Sequence, residues 1–163
     1  MREMRRKARE IKSSAIIREI LEECRVVRIG TADREGMFIV PVNFGYDFSV
    51  RNEAWDLKLY IHGAMEGRKA EAFGASSEVA LEMDCRHRLI TGENACSCSF
   101  SYRSIMGNGK IRRLDRSEEK AYALERIMEH TAPEAAKEFQ PGVLEHTAVY
   151  CIEVRYFSGK ERT

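Results

Sequence analysis

The chain has 163 residues and lacks an excess of either charge. Its 27 Lys and Arg stand against 26 Asp and Glu, a formal net charge of +1. Bulk electrostatic capture of nucleic acid or of an anionic membrane needs a large basic surplus, so neither partner is expected. Long hydrophobic runs are missing too. No stretch approaches the ~20 apolar residues of a membrane span, and the basic N-terminal MREMRRKAREIK has no signal-peptide-like apolar run behind it. A soluble, cytoplasmic protein is the expectation. Cysteine is sparse and odd in number, at positions 24, 85, 96, 98 and 151. With no secretion signal, that argues against a disulfide framework and for reduced thiols. No Gly-x-Gly-x-x-Gly fingerprint is present, so no Rossmann-type dinucleotide site is indicated and a preference for NADH or NADPH cannot be read.

Apolar residues, 44% of the chain, are enough for the core of one ordinary domain spanning residues 1–163. SSAIIREILEECR has helix periodicity, with Ile16, Ile17, Ile20 and Leu21 on one face and Ser13 or Ser14 as cap, which places an N-terminal helix at about 13–24. RVVRIGTADREGMFIVPVNFGYDF reads as two strands around a turn at DREG. Pro41 cannot donate to a ladder, so the second of them lies at an edge or is bulged. SVRNEAWD reads as a looser connection into the strand LKLYIH. A short helix GRKAEAFGAS, the strand EVALEMDCRH, and a long strand ACSCSFSYRSIMGNGKIRRL follow. Gly107 and Gly109 lie late in that strand, as at a barrel bend or bulge. DRSEEKAYALERIMEHTA reads as a helix with Asp115 or Ser117 at its start, Pro133 and Pro141 bracket another short helix, and TAVYCIEVRYFSG closes the chain as a strand. About six strands without regular βαβ alternation predict a mainly β, antiparallel barrel with peripheral helices.

HGAMEGRKAEAF poses the sharpest chemical question. A helix N-terminus offers free N–H groups and a partial positive charge, so Arg68 and Lys69 there are out of place unless an anion joins them. A phosphate would satisfy the amides, the dipole and both cations, and Gly63 and Gly67 would let the backbone approach it. The competing reading is a solvated basic pair. Upstream, Pro41 leaves an edge open to a planar ligand and Asn43 can both donate and accept, although a proline that blocks aggregation explains the same strand. Strand alternation puts Tyr102, Ser104 and Met106 on one face and Arg103 and Ile105 on the other. Cys85, His87, Cys96 and Cys98 could converge on zinc, but without Cys-x-x-Cys spacing the cysteines read rather as small core residues.

Taken in order, VPVNFGYD, LYIHGAMEGRKAEAF and SYRSIMGNGKIRRL resemble the FMN-binding split-barrel family of pyridoxamine 5'-phosphate oxidase, and most closely its 5-nitroimidazole resistance branch. The likeness runs from about Met4 to Gly159, the basic start REMRRKAREI included. It implies a six-stranded antiparallel split β-barrel with FMN at the interface of a homodimer. Arg68 and Lys69 would hold the phosphate; Pro41, Val42 and Asn43 would line the ring; His62 and Gly63 would lie along the ribityl or ring. Tyr102, Ser104 and Ile105 would reach the flavin from the other subunit, and Phe157 matches an aromatic near the ring. The Arg-x-His signature of the pyridoxal-phosphate oxidases is missing from the C-terminal GKERT. The implied activity is therefore reduction of a small acceptor such as a nitro-aromatic or quinone by FMN charged from a nicotinamide donor. His62 is the catalytic candidate because its ordinary pKa permits proton donation near neutrality. The alternative is a flavin- or haem-binding split barrel without turnover, with His62 as a contact or axial ligand. His87, His130 and His146 have no comparable setting, and His130, near a helix end, reads as structural.

Overall fold

The structure, a computed structural model, describes residues 4–135 and 141–163. Among these, eight strands form one antiparallel sheet. The strands are β1 (Glu10–Ile11), β2 (Val27–Asp33), β3 (Gly36–Val42), β4 (Gly45–Arg51), β5 (Ala54–Gly63), β6 (Glu78–Ile90), β7 (Ser99–Arg113) and β8 (Ala148–Arg162). The helices are α1 (Ser14–Glu23), α2 (Arg68–Ala75), α3 (Ser117–Thr131) and α4 (Pro141–His146).

The sheet runs β3-β2-β6-β7-β8-β5-β4, and β1 adds to β8. Its two end strands, β3 and β4, are joined through only Asn43 and Phe44. A link that short brings the two edges near each other, so the sheet curls on itself into a split barrel that no β3–β4 ladder closes. The expected six strands become eight for local reasons. The segment read as one strand, MFIVPVNFGYDF, breaks at Asn43–Phe44 into β3 and β4, and the N-terminal segment supplies β1. SVRNEAWD is a tight β4–β5 hairpin rather than a loose connection. Asn52 (φ 48°) and Glu53 (φ 65°) both take the left-handed backbone that such a turn demands, and glutamate is a poor advertisement for it. The turn at DREG lies where expected, and Pro41 is on an edge strand. The β7–β8 register slips between Asn108 and Gly109. The helix placed between Pro133 and Pro141 falls mostly on residues 136–140, outside the described residues; α4 starts at Pro141 itself.

The barrel interior holds one large apolar cluster. β5 gives it Leu57, Leu59 and Ile61, β6 gives Val79, Leu81 and Met83, and α1 plugs one side with Ile17, Ile20 and Leu21. Those three α1 side chains are fully buried, worth about 1.5–3 kcal/mol each as an upper estimate. Ser13 makes no side-chain cap on α1, a contribution of only ~1 kcal/mol where present. Packing rather than capping therefore holds α1. A second cluster lies outside the barrel, where Ala123, Leu124 and Ile127 of α3 cover Tyr60, Val149 and Cys151. α3 begins at Ser117 after Arg116, and no side chain caps it.

Candidate functional site

β5 ends at His62 and Gly63, which pair with Val149 and Ala148 of β8. Because Ile61 points inward, His62 takes the outer face, where it is exposed. Four residues later Gly67 (φ 102°) is the N-cap of α2, which has no side-chain cap. Its first N–H groups are thus left for a ligand or water.

The basic pair divides. Arg68 turns to the β2–β3 hairpin: Nε donates to Asp33 Oδ2 at 2.6 Å and Nη2 to Oδ1 at 3.0 Å. Glu35 lies 3.6 Å away, and the guanidinium sits over the Phe38 ring at 4.2 Å. The Arg68 guanidinium drives the Asp33 pKa down, and the Asp33 carboxylate drives the Arg68 pKa up. Lys69 is half-buried and has no carboxylate partner among the described residues; its Nζ reaches only the His62 carbonyl, at 3.5 Å. Burial pushes the Lys69 pKa down. Although His62 keeps an exposed edge, the surrounding protein strips water from its ring, and this, then the Lys69 charge, push its pKa down. The lysine stem lies over Gly63, where an added Cβ would be 2.5 Å from Nζ and 2.9 Å from Cε. A side chain there would push the flexible end of the lysine aside. A cavity of about 260 Å³ adjoins α2, lined by Met65, Ala70, Phe73, Arg113 and Tyr150 among others.

Along β3, Met37 (89% exposed), Ile39 (67%) and Pro41 share an outward face. Val42 packs on the interior cluster, and the exposed Asn43 donates Nδ2 to the Arg25 carbonyl at 3.0 Å. On β7, Tyr102 is half-buried in a cavity of about 380 Å³ with Arg86, His87, Arg88, Arg103 and Arg162. Ser104 is buried on the outer face opposite Asp84 and Lys160. The Ile105 side chain is fully buried inside the barrel, so any contact it offers a ligand outside is through its backbone.

One chain does not bring all these residues together. His62, Gly63, Lys69 and the Arg68–Asp33–Phe38 set form one neighbourhood. Arg113, at the far end of β7, donates to Met65 Sδ at 3.3 Å beside α2. Tyr102 is eleven residues up the same strand, about 35 Å of extended chain away. Phe157 stacks on Trp55 (5.9 Å between centroids) near the start of β5, remote from His62 at its end. Sequence reasoning missed Asp33, Glu35 and Phe38 as partners of Arg68; the acidic turn ADRE was the available signal. His130 is structural, as expected: buried, with Nδ1 donating to the Phe44 carbonyl at 2.7 Å. Among the described residues, no three His, Cys, Asp or Glu side chains converge as a metal cage. Among them also, no helix is long and apolar enough to cross a membrane.

A family model described as pyridoxamine 5'-phosphate oxidase matches residues 13–161. Among solved structures, a Bacteroides thetaiotaomicron protein provisionally named a 5-nitroimidazole antibiotic resistance protein is similar over 93% of this chain and 86% of its own, with 27% identity and a TM-score of 0.77. The flavocytochrome Anf3 of Azotobacter vinelandii matches over 99% of this chain and 72% of its own, at 20% identity and a TM-score of 0.78. A FAD- and haem-binding protein of Mycobacterium smegmatis matches over 94% and 73%, at 15% identity and a TM-score of 0.73. At those last two identities the likeness speaks for the fold alone. Among curated proteins no relative matches.

Proposed function

The chain belongs to the pyridoxamine 5'-phosphate oxidase family, and on that premise we propose that it is an FMN-dependent oxidoreductase built as one split-barrel domain. It would act as a cytoplasmic homodimer with FMN at the subunit interface and reduce a small acceptor such as a nitroimidazole or another nitro-aromatic. Lys69 carries the reading. A half-buried ammonium without a carboxylate, beside the uncapped start of α2 and over a glycine that keeps its space clear, is a place for a phosphate. One such cation and one helix start suit the single terminal phosphate of FMN. Arg68 is the secondary contact, since a phosphate must share it with Asp33. The likeness to the Bacteroides protein supports the nitro-aromatic class of acceptor.

The same distances support a homodimer. Tyr102 and Ser104 are on the wrong end of β7 to meet a ligand held by Lys69 of their own chain, so as flavin contacts they would come from a second copy. The apolar face of Met37, Ile39 and Pro41 on the edge strand β3 suits that contact and the flat face of a ring. Val42 and Asn43 would complete the ring-lining segment, Asn43 through the amide oxygen left over from its bond to Arg25.

When bound, the flavin supplies two-electron transfer from a nicotinamide donor to the acceptor. The protein orients it and controls protons. His62, on the exposed face next to Lys69, would hold the proton at an imidazole nitrogen and pass it to the reduced acceptor. Its lowered pKa makes it a readier donor below neutrality. His62→Ala is expected to keep flavin and lose acceptor reduction; full activity in that variant would remove His62 from the chemistry.

A further inference from the structure

We propose that a cavity at the base of the β6–β7 arm is a second anion site, in which Arg88 and Arg162 hold the pyrophosphate of the nicotinamide donor. β6 pairs with β2 only as far as Glu82, and β8 ends at Arg162, opposite Tyr102. Beyond that point β6 and β7 run on without a third strand, as an arm that turns at residues 91–98. The cavity at its base measures about 380 Å³ and is lined by Arg86, His87, Arg88, Tyr102, Arg103 and Arg162 among others, with no Asp or Glu in its walls. Four guanidiniums around one cavity call for an anion unless each is already neutralised.

Two of them are. Arg86 donates Nε to Glu23 at 2.9 Å and Nη2 to Glu19 at 3.1 Å. Arg103 donates Nη1 to Glu19 at 2.6 Å and Nε to Glu161 at 3.0 Å. His87 Nε2 lies 2.7 Å from Asp84. Arg88 and Arg162 have no carboxylate partner among the described residues, and among them the Tyr102 hydroxyl has no hydrogen bond. Two uncompensated positive charges match a pyrophosphate bridge, whose two phosphates each carry one negative charge, and the phenol adds an O–H donor.

The backbone around Arg88 is tied down. The β6–β7 register slips between Cys85 and Arg88, and Arg86 takes a φ of 56°. Ser101, 6% exposed, pairs with Arg88, and its hydroxyl donates between the carbonyls of Arg86, at 3.3 Å, and Arg88, at 3.2 Å. On a flat ribbon Arg88 and Arg162, one rung apart along β7, would face opposite ways. A bulge sharpens the twist, and here both line the one cavity. Their strands flank β7 and lie about 10 Å apart, a gap that two arginine side chains span together.

Neither arginine lies in the three segments that carry the family resemblance. The choice of occupant rests on the function proposed above. Tyr102 would bring this cavity to the partner's flavin, where the nicotinamide must arrive, and the chain has no Gly-x-Gly-x-x-Gly loop to hold that donor's phosphates.

The test is calorimetric titration of the FMN-loaded protein in phosphate-free buffer at low salt. Inorganic pyrophosphate probes the anion site, and NAD+, which cannot reduce the flavin, probes the donor. Arg88→Gln and Arg162→Gln should each weaken both ligands roughly tenfold or more. Arg155→Gln, which removes a β8 arginine engaged with Glu78 at 3.0 Å, should bind both as the parent does. Flavin absorbance should be the same in all variants, showing fold and cofactor intact. Unchanged pyrophosphate binding in the Arg88→Gln/Arg162→Gln double variant would overturn the site. Weakened pyrophosphate with unchanged NAD+ would overturn its occupant, and flavin lost in step with pyrophosphate would show the arginines holding the cofactor instead. A protein that takes up no FMN, yet loses pyrophosphate binding in the same variants, would sink the cofactor reading and keep the anion site.

Discussion

Lys69 and Arg68 are adjacent in the sequence and different in the fold. Arg68 has a carboxylate, a second one nearby and an aromatic ring; Lys69 has a backbone carbonyl at 3.5 Å and a glycine. A charge-assisted bond to a phosphate is worth about 1.5–3 kcal/mol, so Lys69→Ala should weaken flavin binding roughly ten- to a hundredfold in a titration followed by flavin fluorescence. Arg68→Ala should cost less, because its guanidinium is already engaged, and Asp33→Asn should tighten binding by releasing it. Equal losses for Lys69→Ala and Arg68→Ala would contradict this division of roles. Gly63→Ala tests the same pocket by size: its methyl would push Nζ from its place, and flavin retention should drop, by less than in Lys69→Ala. The basic pair, the histidine and the glycines were legible in the sequence because they sit within one short segment. The partners of Arg68 were not, because Asp33 and Phe38 arrive through hairpin pairing 30 and more positions away.

Elements position these residues, and the tightest junction is between α3 and β4. An added Cβ on Gly45 would lie 2.3 Å from the Arg126 carbonyl carbon and 2.4 Å from the Ile127 amide nitrogen, so the helix backbone rests directly on the strand. Gly45→Ala should lift α3 and destabilise the fold by about 1–3 kcal/mol, read as a lower denaturant midpoint. The same junction holds His130, whose ring packs on Phe44 and Tyr46 while Nε2 stays without a hydrogen bond, near the Leu21 and Glu22 carbonyls. Burial, with the Arg25 charge opposing protonation too, lowers its pKa below the ordinary value near 6.5 despite the Phe44 carbonyl that favours the cation. The unfolded chain therefore binds this proton more readily than the folded one. Stability is full above about pH 6.5 and is lost as pH falls from there through the lowered folded value. His130→Gln keeps an N–H donor without titrating and should flatten that part of the profile; an unchanged acid slope would show that His130 does not titrate on unfolding. At this scale the sequence was a fair guide to strands with clear alternation and to α1, α2 and α3. It failed at the β4–β5 turn, where Glu53 takes a left-handed backbone that glycine would have advertised, and at the β3–β4 break, where Asn43 and Gly45 were read as part of a continuous strand.

On the scale of the whole molecule, the curled sheet leaves two edges and an apolar strip on one of them. Fold class was readable because antiparallel order follows from short connections, whereas the strand count and the pairing of distant strands were not. The two-copy site predicts that the protein elutes as a dimer and that Ile39→Glu, which puts a charge on the outward face of β3, yields monomers that no longer hold flavin. A monomeric variant with full flavin content would refute the shared site. The central claim is the cofactor, and the visible spectrum of the purified protein, with mass spectrometry of what heat denaturation releases, tests it most directly. Two flavin bands, in the near-ultraviolet and the blue, with FMN released are the predicted result. A Soret band, or a colourless protein that does not take up added FMN, would contradict it.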